Sequence, residues 1–165
     1  MREDLVYIKT KSWLVDSSWA VLAGQPPRGT DHLPIVEIKD SSNRAKGSAG
    51  AFIPDLVARK SHFLALIECK PVYDELDRLK LEGILGSEQR LAALFADLSQ
   101  KRLVSKRDCS GITVLGLLAH GGPPGPTSGI VGQLLVSGEG LVVAGSWDDA
   151  TLQSLSDLQA GVNPP

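Results

Sequence analysis

Apolar positions along this chain fall into separated patterns, and their spacing predicts most of its elements. Residues 3–15 place Leu5, Val6, Ile8, Trp13 and Leu14 among Glu3, Asp4, Lys9 and Lys11, the mixture expected of a partly buried helix with acids in its first turn. Trp19 to Ala23 form a short β-prone run, stopped by Gly24 and the Pro26-Pro27 pair. Residues 33–40, LPIVEIKD, are again β-prone, and they lead into SSNRAKGSAG, 41–50, which has the composition of a mobile loop and is net basic through Arg44 and Lys46.

Two strands are predicted next, at about 51–59 and 63–70, the second ended by Pro71, which cannot donate to a ladder. From Tyr73 to Leu85, Leu76, Leu79 and Ile84 recur at helical spacing behind Asp74 and Glu75. After Gly86-Ser87 a second helix, 88–103, is expected to bury Leu91, Leu94, Phe95 and Leu98. Residues 112–119 predict a strand, 121–129 a flexible connection, and VGQLLV with LVVAG a hairpin turned at Ser137 to Gly140. A last helix over about 148–160 is expected to stop at Gly161 ahead of a disordered tail, 162–165. This order predicts one α/β domain, residues 1–161, with a mixed central β-sheet flanked by helices, and the lack of strict strand–helix alternation argues against a Rossmann-type sheet.

Composition narrows the function classes. At 165 residues, 42% hydrophobic and 22% charged, the chain suits one globular domain rather than a disordered polymer. A formal charge of −2 gives no general basic surplus, so any nucleic-acid contact has to come from a local face; Arg44, Lys46, Lys101, Arg102, Lys106 and Arg107 are the candidates. Cys69 and Cys109 show no CxxC spacing, which excludes a zinc ribbon and a disulfide framework and fits free thiols in a reducing compartment. The charged start MREDLVYIKTKSW lacks a signal-peptide core, and no apolar run reaches the roughly 18 residues that span a bilayer, so the expectation is a soluble, cytoplasmic protein with no membrane partner. His32, His62 and His120 have no metal-ligand spacing and read as loop or edge histidines, Cys69 reads as a buried structural thiol, and residues 121–129 lack the Gly-Lys-Ser/Thr of a phosphate-binding loop.

The chemistry concentrates in IPDLVARKSHFLALIECKP, 53–71, where Asp55, Arg59, Glu68 and Lys70 interrupt two apolar strands. An antiparallel hairpin turned between Ser61 and His62 sets Arg59 opposite Leu64, Val57 opposite Leu66 and Asp55 opposite Glu68. Alternation then puts Lys70 on the face of Glu68, with Ile67, Cys69, Leu56 and Ala58 on the other. Two acids side by side need a counter-charge, either Lys70 or a divalent cation. Arg59 shares the face but lies near the turn, which leaves it at most a substrate contact.

Pro54-Asp55 followed by Glu68-Cys69-Lys70 resembles the signature of the PD-(D/E)xK nuclease superfamily, the restriction-endonuclease-like fold. Glu37-Ile38-Lys39 is a weaker match, because Asp31 and Pro34 precede it too closely for two paired strands. The resemblance implies that Asp55 and Glu68 bind Mg²⁺ or Mn²⁺ and that Lys70 assists the attacking water. It further implies an acid from the first helix, Glu3 or in its place Asp4, and a polar residue on the helix after the motif, for which Asp77, Lys80 and Gln89 are available. The expected activity is that of a metal-dependent endodeoxyribonuclease, with Arg59, Arg44 and Lys46 touching DNA and a possible homodimer for duplex substrates. The alternative is a catalytically silent nuclease-like module that binds or assembles within a DNA-processing or defence complex.

Overall fold

Helix α1 spans Glu3–Asp16 and turns through Ser17 and Ser18 into strand β1, Ala20–Gly24. Strands β2, Leu56–Lys60, and β3, Phe63–Lys70, form the next hairpin, followed by helices α2, Glu75–Leu85, and α3, Glu88–Gln100. Strands β4, Thr113–His120, β5, Val131–Val136, and β6, Leu141–Ala144, complete the order. The computed structural model describes residues 1–40, 49–126 and 130–144. Arg44, Lys46, the helix expected over 148–160 and the tail at 162–165 lie outside the described residues.

The six strands make one mixed sheet in the order β1-β2-β3-β4-β5-β6. β1, β2 and β3 pair antiparallel, β3, β4 and β5 pair parallel, and β6 returns antiparallel to β5. Between β3 and the parallel β4, the chain crosses over through α2 and α3. β3, FLALIECK, is buried at every position but its last, which requires cover on both faces. On one face Val6, Tyr7 and Leu14 of α1 pack over Leu56, Ala58, Ile67, Cys69 and Leu117. On the other, Leu81, Ile84, Leu94 and Leu98 of α2 and α3 cover Val57, Leu64, Leu66 and Leu118.

The β2–β3 register is the one the sequence predicts, with Arg59 opposite Leu64 and Val57 opposite Leu66, and the two sets of side chains part between the two cores as alternation requires. Three expectations are corrected. The strand expected over 51–59 begins only at Leu56, because Pro54 has no amide hydrogen to donate and the Asp55 carboxylate, rather than a backbone carbonyl, accepts the Cys69 N–H at 2.7 Å. Upstream, Phe52 instead bridges Ile38 through reciprocal backbone bonds. In α2 the buried stripe is Asp77, Leu81 and Ile84, while Leu76 is 70% exposed and Leu79 47%. Asp74 caps this helix by accepting the N–H groups of Leu76 and Asp77, which starts it at Glu75 and sets its phase.

His120 is the third correction. It is fully buried in β4, where its Nε2 lies 3.0 Å from Gln133 Oε1 and its ring stands edge-on to Tyr73 at 5.8 Å. The Gln133 amide also binds the Gly125 N–H and the carbonyls of Gly125 and Pro126, which ties the β4–β5 connection to β5. His62, in the β2–β3 turn, is exposed as expected, and Cys69 is buried. Among the described residues no helix is long and apolar enough to cross a membrane.

Candidate functional site

Asp55, Glu68, Lys70, Glu3 and Asp77 gather at the end of the sheet where β3 finishes and α2 begins. Asp55 heads β2, its carbonyl accepting the Gln25 N–H at 2.9 Å and its Oδ2 the Cys69 N–H, so its carboxylate is fixed against the neighbouring strand. Glu68 lies two residues inside β3, paired across the parallel ladder with Leu118, and is only 6% exposed. Lys70, the last residue of β3, reaches Asp77 Oδ2 at 3.1 Å and Glu3 Oε1 at 3.5 Å. Asp77 also receives Lys80 at 2.5 Å from one turn further along α2.

Four carboxylates thus surround two ammonium groups, and the charges are unequal in solvation as well as in number. Glu68 Oε1 is buried with no hydrogen-bond partner. Burial pushes the Glu68 carboxyl up to about 8, with Asp55 and Asp77 adding repulsion that Lys70 and Lys80 only partly offset. Burial likewise pushes Asp55 up to about 6, against the lowering effect of the Cys69 N–H and Lys70. At Asp77 burial acts upward, but the hydrogen bonds from Lys80 and Lys70 outweigh it and hold this carboxyl below its ordinary value. Burial lowers Lys70, yet its bond to Asp77 and the surrounding acids prevail and raise it, so the ammonium stays charged.

Glu68, Lys70, Asp77 and Lys80 line a cleft of about 440 Å³ whose opposite wall is Ile38, Asp40 and residues 50–53. Ile84 and Arg90, from α2 and α3, complete it. Asp55, whose Oδ2 accepts the Cys69 N–H, is not among the residues lining this cleft. Among the described residues no group of three or more His, Cys, Asp or Glu side chains forms a metal-holding cluster. Mg²⁺, however, is commonly held by one or two carboxylates and keeps several waters. An orphaned, buried Glu68 oxygen with excess negative charge around it is a donor set of that kind, so the residues fit a hard divalent cation.

Of the residues expected at the site, Asp55, Glu68, Lys70 and Glu3 come together, Glu3 through its contact with Lys70. Asp4 turns instead to Arg2 at 2.5 Å. Arg59 lies at the far end of β2, 3.2 Å from Asp108, outside the cluster. Gln89 is exposed on α3 and is not part of the cleft lining. Lys101 is engaged by Asp97 at 2.8 Å and by the Ile35 carbonyl. Sequence reasoning left Asp77 as one of three options; the signal that would have singled it out is its position four and seven residues before Leu81 and Ile84, an acid on a buried stripe. Arg90 and Asp40 gave no such signal. In the comparisons with known proteins, no family model, curated protein or solved structure matches the chain.

Proposed function

We propose that this chain is a metal-dependent nuclease that hydrolyses phosphodiester bonds in DNA. The observation that carries the reading is Glu68: a carboxylate 6% exposed, with an unpartnered oxygen, beside a second raised carboxyl and a lysine held in its charged form. Burying such a group is costly unless a cation or proton answers it. The restriction-endonuclease-like subtype is supported by the aspartate heading β2, the Glu68-Cys69-Lys70 run on its antiparallel neighbour, and the acids of α1 and α2 that meet at Lys70.

In this reading Asp55 and Glu68 hold the metal ion. A bound Mg²⁺ or Mn²⁺ would polarise the attacking water and the phosphate. Lys70, kept as an ammonium by Asp77 and Glu3, orients that water and donates to a non-bridging phosphate oxygen, offsetting the charge that grows on it in the transition state. The water oxygen forms a new bond to phosphorus as the bond to the leaving nucleotide oxygen breaks, and the proton lost by the water balances the one taken up by the leaving oxygen.

Purified protein incubated with plasmid, linear duplex and single-stranded DNA, with Mg²⁺, Mn²⁺ or chelator, tests this directly. Cutting should require metal, and Glu68→Ala and Lys70→Ala should each lower it by about 10²–10⁴-fold. Equal trace activity in wild type and both variants sinks the enzyme reading and leaves a binding or assembly role.

A further inference from the structure

The cleft has a third cation that the proposed hydrolysis does not use. Arg90 sits in the first turn of α3, its backbone N–H on the Ser87 capping hydroxyl, and its side chain runs back over α2 to Asp40 on the opposite wall. Its path crosses Gly83, where an added Cβ would stand 3.3 Å from Arg90 Nη1. A glycine inside a helix is unfavourable relative to alanine, and here its missing side chain leaves room for the guanidinium. The Arg90–Asp40 contact is long, at 3.8 Å, and both side chains are partly exposed, 41% and 35%. Such a pair is weak and exchanges readily for a better anion. A backbone phosphate, which a guanidinium can grip with two parallel hydrogen bonds, is a better anion than this carboxylate.

The cleft also restricts what can reach Glu68. Its volume, about 440 Å³, is that of a small-ligand site, with Phe52 and Ile53 on one side, α2 and α3 on the other, and the Asp40–Arg90 pair across it. A rigid duplex meets a concave floor only at its rim, whereas one flexible strand enters with its phosphate leading and its bases free to lie against a half-buried aromatic ring such as Phe52.

We propose that the cleft takes a single unpaired DNA strand and that Arg90 leaves Asp40 to hold a backbone phosphate next to the scissile one. This rests on the nuclease reading for the identity of the scissile phosphate, but the strand contact can be read without cutting. Binding of a fluorescein-labelled oligonucleotide, single-stranded or annealed, is followed by anisotropy in chelator over a salt series, for wild type, Arg90→Gln and Asp40→Asn. Each phosphate contact contributes about −0.7 to the slope of log K against log salt for a single strand. Arg90→Gln should therefore flatten that slope by about 0.7, so that raising salt from 50 to 200 mM weakens the variant about 2.6-fold less than wild type. Asp40→Asn should bind more tightly than wild type, and the annealed duplex more weakly than the single strand. Metal-dependent cutting with an unchanged Arg90→Gln slope, or with duplex bound as tightly as single strand, overturns the inference and leaves the nuclease reading standing. Arg90-dependent strand binding without any cutting supports the inference and removes the nuclease reading; no binding and no cutting overturns both.

Discussion

Replacing Glu68 with glutamine keeps the shape of the side chain and removes the charge that the fold tolerates least. Burial first, and then repulsion from Asp55 and Asp77, lifts this carboxyl from 4.5 to about 8. At about 1.4 kcal/mol per pH unit that rise corresponds to about 5 kcal/mol. Local relaxation and water entry reduce the figure to ~3–5 kcal/mol for a side chain this deeply enclosed. Between about pH 4.5 and about 8 the folded protein holds a proton on Glu68 that the unfolded chain has released, so stability falls as pH rises through this window and is at its fullest below it. Asp55, raised to about 6 from 3.8, adds a slope of the same sign over a narrower range.

Glu68→Gln cannot lose that proton. Without metal, the two proteins should unfold at similar urea concentrations near about pH 5, and near about pH 9 the variant should be the more stable by ~3–5 kcal/mol, on the order of 10 °C in Tm for a chain of this size. Adding Mg²⁺ at the higher pH should restore much of the wild-type deficit and leave the variant unchanged, since a bound cation answers the same charge that the proton answers. Urea titrations across the pH range, with chelator and with Mg²⁺, read all three effects. Parallel stability curves for the two proteins, or a variant weaker at the higher pH, would refute the account of Glu68 as a buried charge without a partner.

Asp77→Asn should show the opposite sign. Asp77 is held below its ordinary value by Lys80 and Lys70, so it contributes stability above about pH 4 that disappears on acidification, and the variant should lose ~1–3 kcal/mol at neutral pH but little in acid, as denaturant midpoints at both would show. Gly125→Ala should cost ~1–3 kcal/mol, because an added Cβ would stand 2.1 Å from Cδ2 of the Tyr73 ring and displace it from His120. An unchanged unfolding midpoint together with an unchanged His120 imidazole NMR signal would contradict that packing.

The hairpin at the centre of the site was legible because its register depends on local features. One turn position and strict alternation decide which side chains share a face, and Glu68 and Lys70 separated from Ile67 and Cys69 as that rule demands. The phase of α2 was not legible. Leu76 and Leu79 look like its apolar face, but the buried stripe includes Asp77, and an acid there is answered by Lys80 one turn on and by Lys70 arriving from the end of β3. His120 misled for the same reason: its partner, Gln133, lies on a strand whose adjacency follows from the parallel β4–β5 pairing and not from spacing along the chain. Arg90 and Asp40 meet through contacts remote in sequence: Asp97 of α3 accepts the Glu37 N–H, Lys101 binds the Ile35 carbonyl, and Ile38 bridges Phe52.

Depth along the strand explains why the cluster sits where it does. The end of β3 is where charged side chains can approach solvent, and the chain leaves there for α2. Lys70, at the last position of β3, keeps a quarter of its side chain exposed and stays charged. Glu68, two positions deeper between β2 and β4, loses water almost entirely and holds its proton up to about 8. On the proposed nuclease reading, the same inward step that makes Glu68 costly as an anion would make it a strong cation ligand, because a carboxylate stripped of water gains most from a cation beside it. On that reading, stability and function pull in opposite directions at this one position. Glu68→Gln should raise stability at high pH in the same protein that has lost metal-dependent cutting, whereas a surface acid in a merely structural ion pair would show neither change.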